Sequence, residues 1–322
     1  MAEKSMIALK NVTVSYDNQN AIENLNLEIK PQELFVLVGE SGGGKTTTLR
    51  TMNGLVKPTN GQIIINGVLM KRENVRQIRL EIGYVIQQIA LFPNMNVEQN
   101  LRLIPEIKHE DMSAAKDRIE HLMKSVSLPL DYLKDFPNEL SGGEQQRVGI
   151  IRAFGTKPKI VLMDEPFAAL DPISRVQLQN LTLQFHSQFN NTIVFVTHDM
   201  NEALKLADRI GVIANGKLLQ VGTPKEIVRH PADSYVERLF RNSRSKDINK
   251  VYIQRIVYTG FSSSSPQAEI PVVKVDGESI LADNYPFLAA GKQLEVHQDN
   301  KIIGYVSSAD VFKYFNHFKE NK

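Results

Sequence analysis

The sequence has 322 residues, of which 42% are hydrophobic and 23% charged, with 19 glycines and 14 prolines. These proportions are ordinary for a soluble globular chain and exclude disorder, a collagen-like repeat or a coiled coil as the main architecture. The 38 basic and 36 acidic residues leave a net charge of +2, and cysteine is absent. The composition therefore gives no case for nucleic acid as a partner and excludes disulfides, a thiol nucleophile and a zinc-thiolate site.

Short apolar runs separated by helical patterns follow from the N-terminus onward. Ile7–Val14 and Ile22–Ile29 alternate apolar and polar residues, which is typical of antiparallel strands with one solvated face. Leu34–Val38, Ile160–Met163 and Thr192–Thr197 are nearly continuous, as expected of strands buried on both faces of a parallel sheet. Further strand-like runs are Ile63–Ile65, Tyr84–Ile86 and Ile210–Ala214. The pattern predicts an α/β fold with an antiparallel part near the N-terminus.

A helical segment and a boundary interrupt this pattern. Between Val97 and Asp135 the strand signal stops, and Ile119, Leu122, Met123 and Val126 fall on one helical face. Arg241–Lys250 is polar and lacks an apolar period, which predicts a linker. Beyond the flexible stretch Ser262–Pro266 we expect two strands and a short helix, at Ile270–Val275, Ile302–Val306 and Asp310–Phe318.

The chain carries no pattern of a membrane or secretory segment. No apolar run approaches the length of a membrane span, and Met1–Asn11 lacks the apolar stretch of a signal peptide. We therefore expect a cytoplasmic protein with one large and one small domain.

A glycine-rich loop lies between a predicted buried strand and a predicted helix. Gly39–Thr46 matches G-x-x-x-x-G-K-[ST] and precedes the helical pattern Thr47–Met52. Glycines let successive backbone N–H groups form a nest for phosphate oxygens, and a helix N-terminus adds the positive end of its dipole. Lys45 would reach the β- and γ-phosphates, and the Thr46 hydroxyl would ligate Mg²⁺. A glycine-rich turn without a ligand is the alternative.

Two carboxylates end the apolar run Ile160–Met163. Because the strand is buried, Asp164 and Glu165 should emerge at its carboxyl end, where α/β sheets bind ligands. Asp164 suits support of Mg²⁺, and Glu165 suits a general base that polarises the attacking water. The alternative is a turn that caps the next helix.

Leu140–Arg147 predicts a second anion-binding helix end. Ser141 is a good N-cap residue, and Gly142 and Gly143 permit close approach to the backbone. One nucleotide can use two such ends only if the fold brings them together or if a second copy supplies one.

In their order, these motifs resemble those of the ATP-binding-cassette (ABC) ATPases. The diagnostic L-S-G-G-x-Q of that family matches Leu140–Gln145 at every fixed position. The resemblance implies that two nucleotide domains pair head to tail, so that the phosphate loop of one and Ser141–Gly143 of the other enclose each ATP. The family order is met by Gly39–Thr46, Gln87, Leu140–Gln145, Asp164-Glu165, Ala169–Asp171 and His198.

The resemblance also implies roles for single residues. Tyr16 matches the aromatic residue that stacks on adenine, although it could simply belong to the N-terminal sheet. Gln87, rather than its neighbour Gln88, matches the glutamine that reaches Mg²⁺ and the attacking water. Asp171 lies in the loop that senses the opposite site, and His198 would contact the γ-phosphate.

The resulting expectation divides the site by role. We expect catalytic work from Lys45, Gln87, Glu165 and His198. We expect Mg²⁺ to be held by Thr46, Gln87 and Asp164. The residues expected to contact ATP are Tyr16, Gly39, Glu40, Ser41, Gly42, Gly43, Gly44, Lys45, Thr46, Thr47, Ser141, Gly142, Gly143 and Asp171.

Finer matches indicate an importer. Leu91–Val97 resembles the loop that contacts a coupling helix of the membrane subunit in importers. A closer resemblance, to importers of quaternary-amine osmoprotectants such as glycine betaine, choline and carnitine, is carried by Ile82–Ile89, Met163–Phe167 and Phe195–Met200. The implied partners are transmembrane permease subunits, an extracytoplasmic substrate-binding protein or domain, and a second copy of the chain, at the cytoplasmic face of the membrane. The alternatives are an importer of an amino acid or polyamine, and a regulatory ABC ATPase without a membrane partner.

The resemblance extends over roughly residues 5–240. We therefore expect an ABC nucleotide-binding domain at residues 1–240, with a helical subdomain at about 90–155, and a linker with a C-terminal segment at residues 241–322. Lys301–Val306 with Asp310–Phe312 resembles the closing strand and helix of a cystathionine-β-synthase-type (CBS) module. The segment is too short for the usual pair of such modules, so a single partial module and a plain dimerisation tail both remain open.

Overall fold

The computed structural model describes residues 5–17, 19–87, 90–168, 170–241, 251–299 and 301–320. Gln88, Ala169 and most of the predicted linker at 241–250 lie outside the described residues. The chain separates into two compact units. The first comprises Met1–Leu170 and Ser174–Phe240, and the second comprises Asp171–Ile173 and Arg241–Lys322.

The strands fall into three sheets. In chain order they are β1 (Ile7–Tyr16), β2 (Gln19–Ile29), β3 (Leu34–Val38), β4 (Asn60–Ile65), β5 (Val68–Leu69), β6 (Ile82–Val85), β7 (Ile160–Asp164), β8 (Thr192–Thr197), β9 (Arg209–Ala214), β10 (Lys217–Gly222), β11 (Val272–Asp276), β12 (Gln293–Gln298) and β13 (Lys301–Val306). The sheets have the orders β2-β1-β4-β5, β10-β9-β3-β8-β7-β6 and β11-β12-β13.

The helices occupy the segments between these strands. They are α1 (Lys45–Met52), α2 (Val75–Leu80), α3 (Val97–Ile107), α4 (Met112–Ser125), α5 (Gly142–Phe154), α6 (Pro172–Phe189), α7 (Met200–Leu206), α8 (Pro224–Arg229), α9 (Ser234–Arg241), α10 (Ile253–Tyr258), α11 (Leu281–Ala289) and α12 (Ser308–Glu320). Two 3₁₀ turns, Leu130–Lys134 and Pro137–Glu139, precede α5. Among the described residues, no helix is both long enough and apolar enough to cross a membrane.

The central sheet of the first unit is parallel from β9 to β6, and β10 joins it antiparallel to β9. All five residues of β3 are buried, because alternate side chains enter the hydrophobic cores on opposite faces of the sheet. Val36 and Val38 pack in one core, with helices α3 to α6, whereas Phe35 and Leu37 pack in the other, with β1, β2 and α1. The prediction of a doubly covered parallel sheet is confirmed.

The N-terminal sheet is antiparallel, as the alternating pattern predicts. β1 pairs with both β2 and β4 in antiparallel register. Ile7, Leu9, Val12 and Val14 of β1 are buried in one core, while polar residues between them face outward. Single-sided burial is the physical reason for the alternation.

The predicted helical segment is formed by α3 and α4. Asn96 and Gln99 make a capping box at the start of α3, and the Asp111 side chain caps α4. Ile119, Leu122 and Met123 are buried on one face of α4, as predicted, and Val126 follows at its C-terminal cap.

The second unit contains a small α+β fold. Its β11 runs parallel to β12, and β12 runs antiparallel to β13. Buried side chains from α11, β12 and β13 form its interior, among them Leu281, Leu288, Leu294, Val296 and Val306. The two expected strands and the terminal helix are present, with β11 beginning at Val272 and α12 extending over Ser308–Glu320.

Candidate functional site

Four predicted motifs meet at one edge of the central sheet. The phosphate loop follows β3, Gln87 follows β6, Asp164 ends β7 with Glu165 directly after it, and His198 follows β8. These strands are parallel neighbours, so their carboxyl ends lie at the same edge. Motifs separated by more than a hundred residues in sequence are therefore gathered by the strand order alone.

The loop Gly39–Thr46 wraps around the lysine side chain. Lys45 Nζ donates hydrogen bonds to the carbonyl oxygens of Gly39 and Glu40, each at 2.8 Å. Gly44, the residue before α1, has a φ of 103°, and a Cβ there would lie 2.6 Å from the Ala21 carbonyl oxygen. Only glycine fits this position, because the left-handed backbone and the close approach both exclude a side chain.

The ammonium group of Lys45 is buried beside two carboxylates. Lys45 is 5% exposed, and burial lowers its pKa, while the nearby charges of Glu165 and Asp164 partly restore it. A buried cation at this position supplies positive charge where an anionic ligand of the loop would lie.

Asp164 is bonded to the first turn of α1. The Thr46 hydroxyl donates to Asp164 Oδ1 at 2.9 Å. Asp164 is 2% exposed, and burial raises the pKa of its carboxyl, although the Thr46 hydrogen bond opposes this change. The pair thus places a hydroxyl and a carboxylate oxygen side by side at the base of the phosphate loop.

Glu165 is the point at which the other predicted residues converge. The Gln87 side-chain amide donates to Glu165 Oε2 at 3.3 Å, and His198 Nδ1 lies 3.0 Å from the same oxygen. The side chain of Glu165 is 16% exposed and that of His198 60% exposed, so the cluster opens to solvent on the histidine side. The arrangement can orient a water molecule beside the phosphate loop and accept its proton.

A buried network supports the segment that carries His198. The Thr197 hydroxyl donates to Glu202 Oε2 at 2.6 Å and accepts from the Asp199 backbone N–H at 2.9 Å. Glu202 also accepts from Gln179 of α6 at 3.4 Å. Burial raises the pKa of Glu202, which is 6% exposed. No motif in the sequence assigned a role to Glu202.

The start of α5 is closed by a reciprocal cap. Ser141 accepts from the Glu144 backbone N–H, and the Glu144 carboxylate accepts from the Ser141 backbone N–H at 2.8 Å and from its hydroxyl at 2.6 Å. These hydrogen bonds lower the pKa of Glu144. Gly142 is exposed, and a Cβ added there would meet nothing within 4 Å. This helix end therefore offers open backbone to a ligand from outside.

The remaining predicted contact residues lie at the ends of elements and along the phosphate loop. Tyr16 is half exposed at the end of β1, and Asp171 immediately precedes α6. Glu40, Ser41 and Gly42 are exposed along the phosphate loop; Gly43 is buried and Thr47 is half-buried in the first turn of α1.

Two residues with several tertiary contacts, Asn100 and Arg152, were not predicted from the sequence. Asn100 is completely buried on α3 and bonded to the segment Phe92–Asn96, and Arg152 contacts it from α5. Asn100 falls three residues after Val97 and next to Leu101, within the apolar face of its helix. A polar residue inside an apolar stripe was the signal that could have found it.

Comparison with known proteins is consistent with this geometry. The sequence profile of the ABC transporter family matches residues 22–168. The choline transport ATP-binding protein OpuBA of Bacillus subtilis is 43% identical over 252 residues, which are 78% of this chain and 66% of that one. The glycine betaine uptake system ATP-binding protein YehX of Escherichia coli is 39% identical over 238 residues, covering 74% of this chain and 77% of its own length.

Solved structures of ATP-binding cassettes have a similar fold. A dimeric ATP-binding cassette in a post-hydrolysis state, bound to ADP and Pi, superposes with a TM-score of 0.63 at 33% identity, covering 68% of this chain and 99% of that chain. The fold is that of an ATP-binding cassette, and this chain belongs to the ABC transporter family. It spans slightly less than two thirds of the OpuBA relative.

Proposed function

We propose that this chain is an ATPase that drives an ABC importer of quaternary-amine osmoprotectants. The observation that carries the ATPase part is the cluster at the edge of the central sheet. At this edge the phosphate loop leads into α1, and Lys45 and the Thr46–Asp164 pair lie beside it. Glu165 lies there too, in contact with Gln87 and His198. Together these groups supply the cation, the oxygen ligands and the base that phosphoryl transfer to water uses.

In the proposed mechanism, the loop and Lys45 hold the phosphates. Backbone N–H groups of residues 39–46 and the N-terminus of α1 would surround the phosphate oxygens, and Lys45 would turn from the carbonyls of Gly39 and Glu40 to the β- and γ-phosphates. Glu165 would take the proton of the attacking water. Gln87 and His198 would orient that water and the γ-phosphate from either side of Glu165.

Mg²⁺ fits the oxygen donors of this site. Magnesium prefers hard oxygen ligands and is held in phosphoryl-transfer sites by one or two protein groups together with substrate phosphates. Thr46, Asp164 and Gln87 offer such oxygens, and no cluster of three or more metal-binding His, Asp or Glu side chains occurs in the described part of the chain. When bound, the ion would neutralise charge that develops on the phosphates.

We further propose that two copies of the chain share each ATP. The exposed start of α5 at Ser141–Gly143 is a second anion-binding helix end that hydrogen-bonds Glu144 within its own chain. A head-to-tail dimer would bring it, with Asp171, to the phosphates held by the other copy, while Tyr16 would stack on the adenine. The dimeric, ADP-bound cassette among the similar structures supports this arrangement.

The transported solute is proposed from the relatives. The names of OpuBA and YehX specify choline transport and glycine betaine uptake. The chain would work at the cytoplasmic face of the membrane, bound to transmembrane permease subunits through Leu91–Val97, with an extracytoplasmic substrate-binding protein or domain delivering the solute. Quaternary ammonium would be recognised in those partners, through cation–π contacts.

For the domains, we propose that residues 1–240 form the nucleotide-binding domain, with its helical subdomain at about 90–155. Residues 241–322 would form a linker and a single partial CBS-like module that regulates transport or joins two copies. The sheet order β11-β12-β13, with one parallel and one antiparallel pair, supports a compact module rather than an unstructured tail.

Uptake of labelled solutes tests the transport proposal. Cells lacking redundant importers, with and without this chain, would be offered glycine betaine, choline, carnitine, a polar amino acid and a polyamine at low and high external osmolarity. We expect loss of the chain to abolish osmotically stimulated quaternary-amine uptake alone. Unchanged quaternary-amine uptake would refute the substrate class, and loss of amino-acid or polyamine uptake instead would assign the chain to another importer.

A further inference from the structure

The loop that follows the Gln87 segment is held by one buried side chain. Asn100 Oδ1 accepts from the Phe92 backbone N–H at 2.8 Å. Its Nδ2 donates to the carbonyl oxygens of Phe92 at 3.1 Å, Met95 at 3.0 Å and Asn96 at 3.0 Å. Asn100 is 0% exposed, so bulk solvent does not compete for these hydrogen bonds. The shape of residues 92–96 is therefore set by a side chain of α3.

Only asparagine supplies this combination at the Asn100 position. Within the loop, the amide donates to three carbonyl oxygens and at the same time accepts from the Phe92 backbone N–H. An aspartate would retain the acceptor, lose both donor hydrogens and bury a charge opposite three carbonyl oxygens. Each polar group that loses its partner in the interior is costly.

Arg152 joins the same loop to α5. Its Nη1 donates to Asn100 Oδ1 at 3.5 Å, and its guanidinium carbon lies 5.9 Å from the centre of the Phe92 ring, within the range of a cation–π contact. Arg152 lies in the last turn of α5. Its side chain thus touches both the residue that holds the loop and the aromatic ring at the beginning of the loop.

The two ends of α5 therefore meet different parts of the protein. The first end is the exposed, capped turn at Ser141–Gly143, and the second end carries Arg152. With 13 residues and a rise of about 1.5 Å per residue, the helix separates them by roughly 20 Å. Arg118 of α4 adds a further tie, because it donates to the Gly155 carbonyl just after α5 and to Glu110.

We propose that Asn100 and Arg152 are positioning residues that make loop 92–96 move with α5, so that a change at the Ser141 end on ATP binding is passed to Phe92. The Phe92 side chain is 45% exposed, which leaves it available to a partner. The inference rests on the proposed function for the ATP at Ser141 and for the membrane subunit at Phe92. It does not depend on which solute is transported.

A single tryptophan can report this movement. The chain contains no tryptophan but nine tyrosines, so Phe92→Trp introduces one tryptophan next to Arg152 that is excited selectively at wavelengths where tyrosine does not absorb. Glu165→Gln in the same chain would keep ATP bound during the measurement. The emission of the purified full-length protein is recorded with Mg-ATP and with no nucleotide. We expect ATP to shift the emission maximum or intensity in this parent protein.

Two variants remove the proposed link, and a third is the matched control. Asn100→Asp removes the donors to the loop, and Arg152→Lys keeps the charge but loses the planar guanidinium. Arg102→Gln changes the same helix α3 but removes ion pairs with Glu98 and Glu106 instead of contacts with loop 92–96. We expect the ATP-induced change to fall about fivefold or more in the first two variants and to persist in the control.

Circular dichroism and ATP binding would first show that each variant is folded and binds nucleotide; if Asn100→Asp does not fold, Arg152→Lys carries the test. A full ATP response in a folded positioning variant would overturn the inference, and so would a parent protein that binds ATP without any response at residue 92. Because the readout uses neither permease nor solute, a negative uptake experiment would refute the proposed substrate class without affecting this result.

Discussion

The Glu165 carboxylate contacts Gln87 and His198, and its backbone N–H is hydrogen-bonded to the neighbouring strand. Its φ of 43° lies in the left-handed region, which typically costs a non-glycine residue about 1–3 kcal/mol. Its backbone N–H donates to the Val196 carbonyl at 3.0 Å, so the pairing between β7 and β8 continues through this residue. The strained turn directs the carboxylate towards Gln87 and His198. The sheet and the two side chains therefore define the position of this carboxylate.

At Glu202 the structure predicts a pH effect on stability. Burial raises its pKa above the ordinary value of 4.5, so the folded protein binds this proton more tightly than the unfolded chain does. The protonated Glu202 carboxyl therefore stabilises the fold at pH values below the pKa that it has in the unfolded chain. This stabilisation is lost as the pH rises through the higher pKa that it has in the folded protein. Glu202→Gln removes that loss and retains a partner for Thr197.

We therefore expect the variant to gain stability relative to the parent as the pH rises from about 4 to about 8, by on the order of 1 kcal/mol. Urea unfolding of both proteins at a series of pH values measures the difference. Parallel pH profiles would contradict the assignment of a raised pKa to this carboxyl.

At the scale of single elements, α5 depends on its first residues for stability. Ser141→Ala removes both the acceptor for the Glu144 N–H and the hydroxyl donor to the Glu144 carboxylate. Loss of such a cap typically costs about 1 kcal/mol. Unfolding of the nucleotide-free protein should show this loss, with Ser141→Thr as the control that keeps a hydroxyl. Equal stability of the alanine variant and the parent would mean that the cap does not hold the helix.

The elements that could be predicted from the sequence are those whose burial is visible in the pattern. β3, β7 and β8 are buried on both faces, and their apolar runs are continuous. β12 was missed, because only Leu294 and Val296 of its six residues are aliphatic. α11 was missed as well, and it contains an internal proline, Pro286, which normally indicates the end of a helix.

In the candidate site, too, some features could be predicted from the sequence and others could not. Loop 39–46 and Asp164 could be found because spacing and residue type carry their chemistry. The hydrogen bonds of Gln87 and His198 to one oxygen of Glu165 could not be found, since they depend on strand order across the sheet. Asn100 and Arg152 lie on separate helices, 52 residues apart, and only tertiary packing brings them together.

At the scale of the whole molecule, regulation of transport is one of the two roles proposed for the second unit. It has its own sheet and buried interior, with β12 at the centre of β11-β12-β13. Deletion of residues 245–322 should leave quaternary-amine uptake in place but remove its dependence on external osmolarity. Uptake at low and high osmolarity, with the full-length chain as control, measures this. An osmotic response that survives the deletion would show that the segment is no sensor.

The most direct measurement for the central claim is ATP turnover by the purified chain and its Glu165→Gln variant. Both should bind Mg-ATP, because the loop and Lys45 are unchanged. We expect the variant to lose hydrolysis by about 100-fold or more, consistent with removal of a general base, and to accumulate as an ATP-filled dimer in size-exclusion chromatography. Hydrolysis by the variant at the parental rate would contradict the assignment of Glu165 as the base.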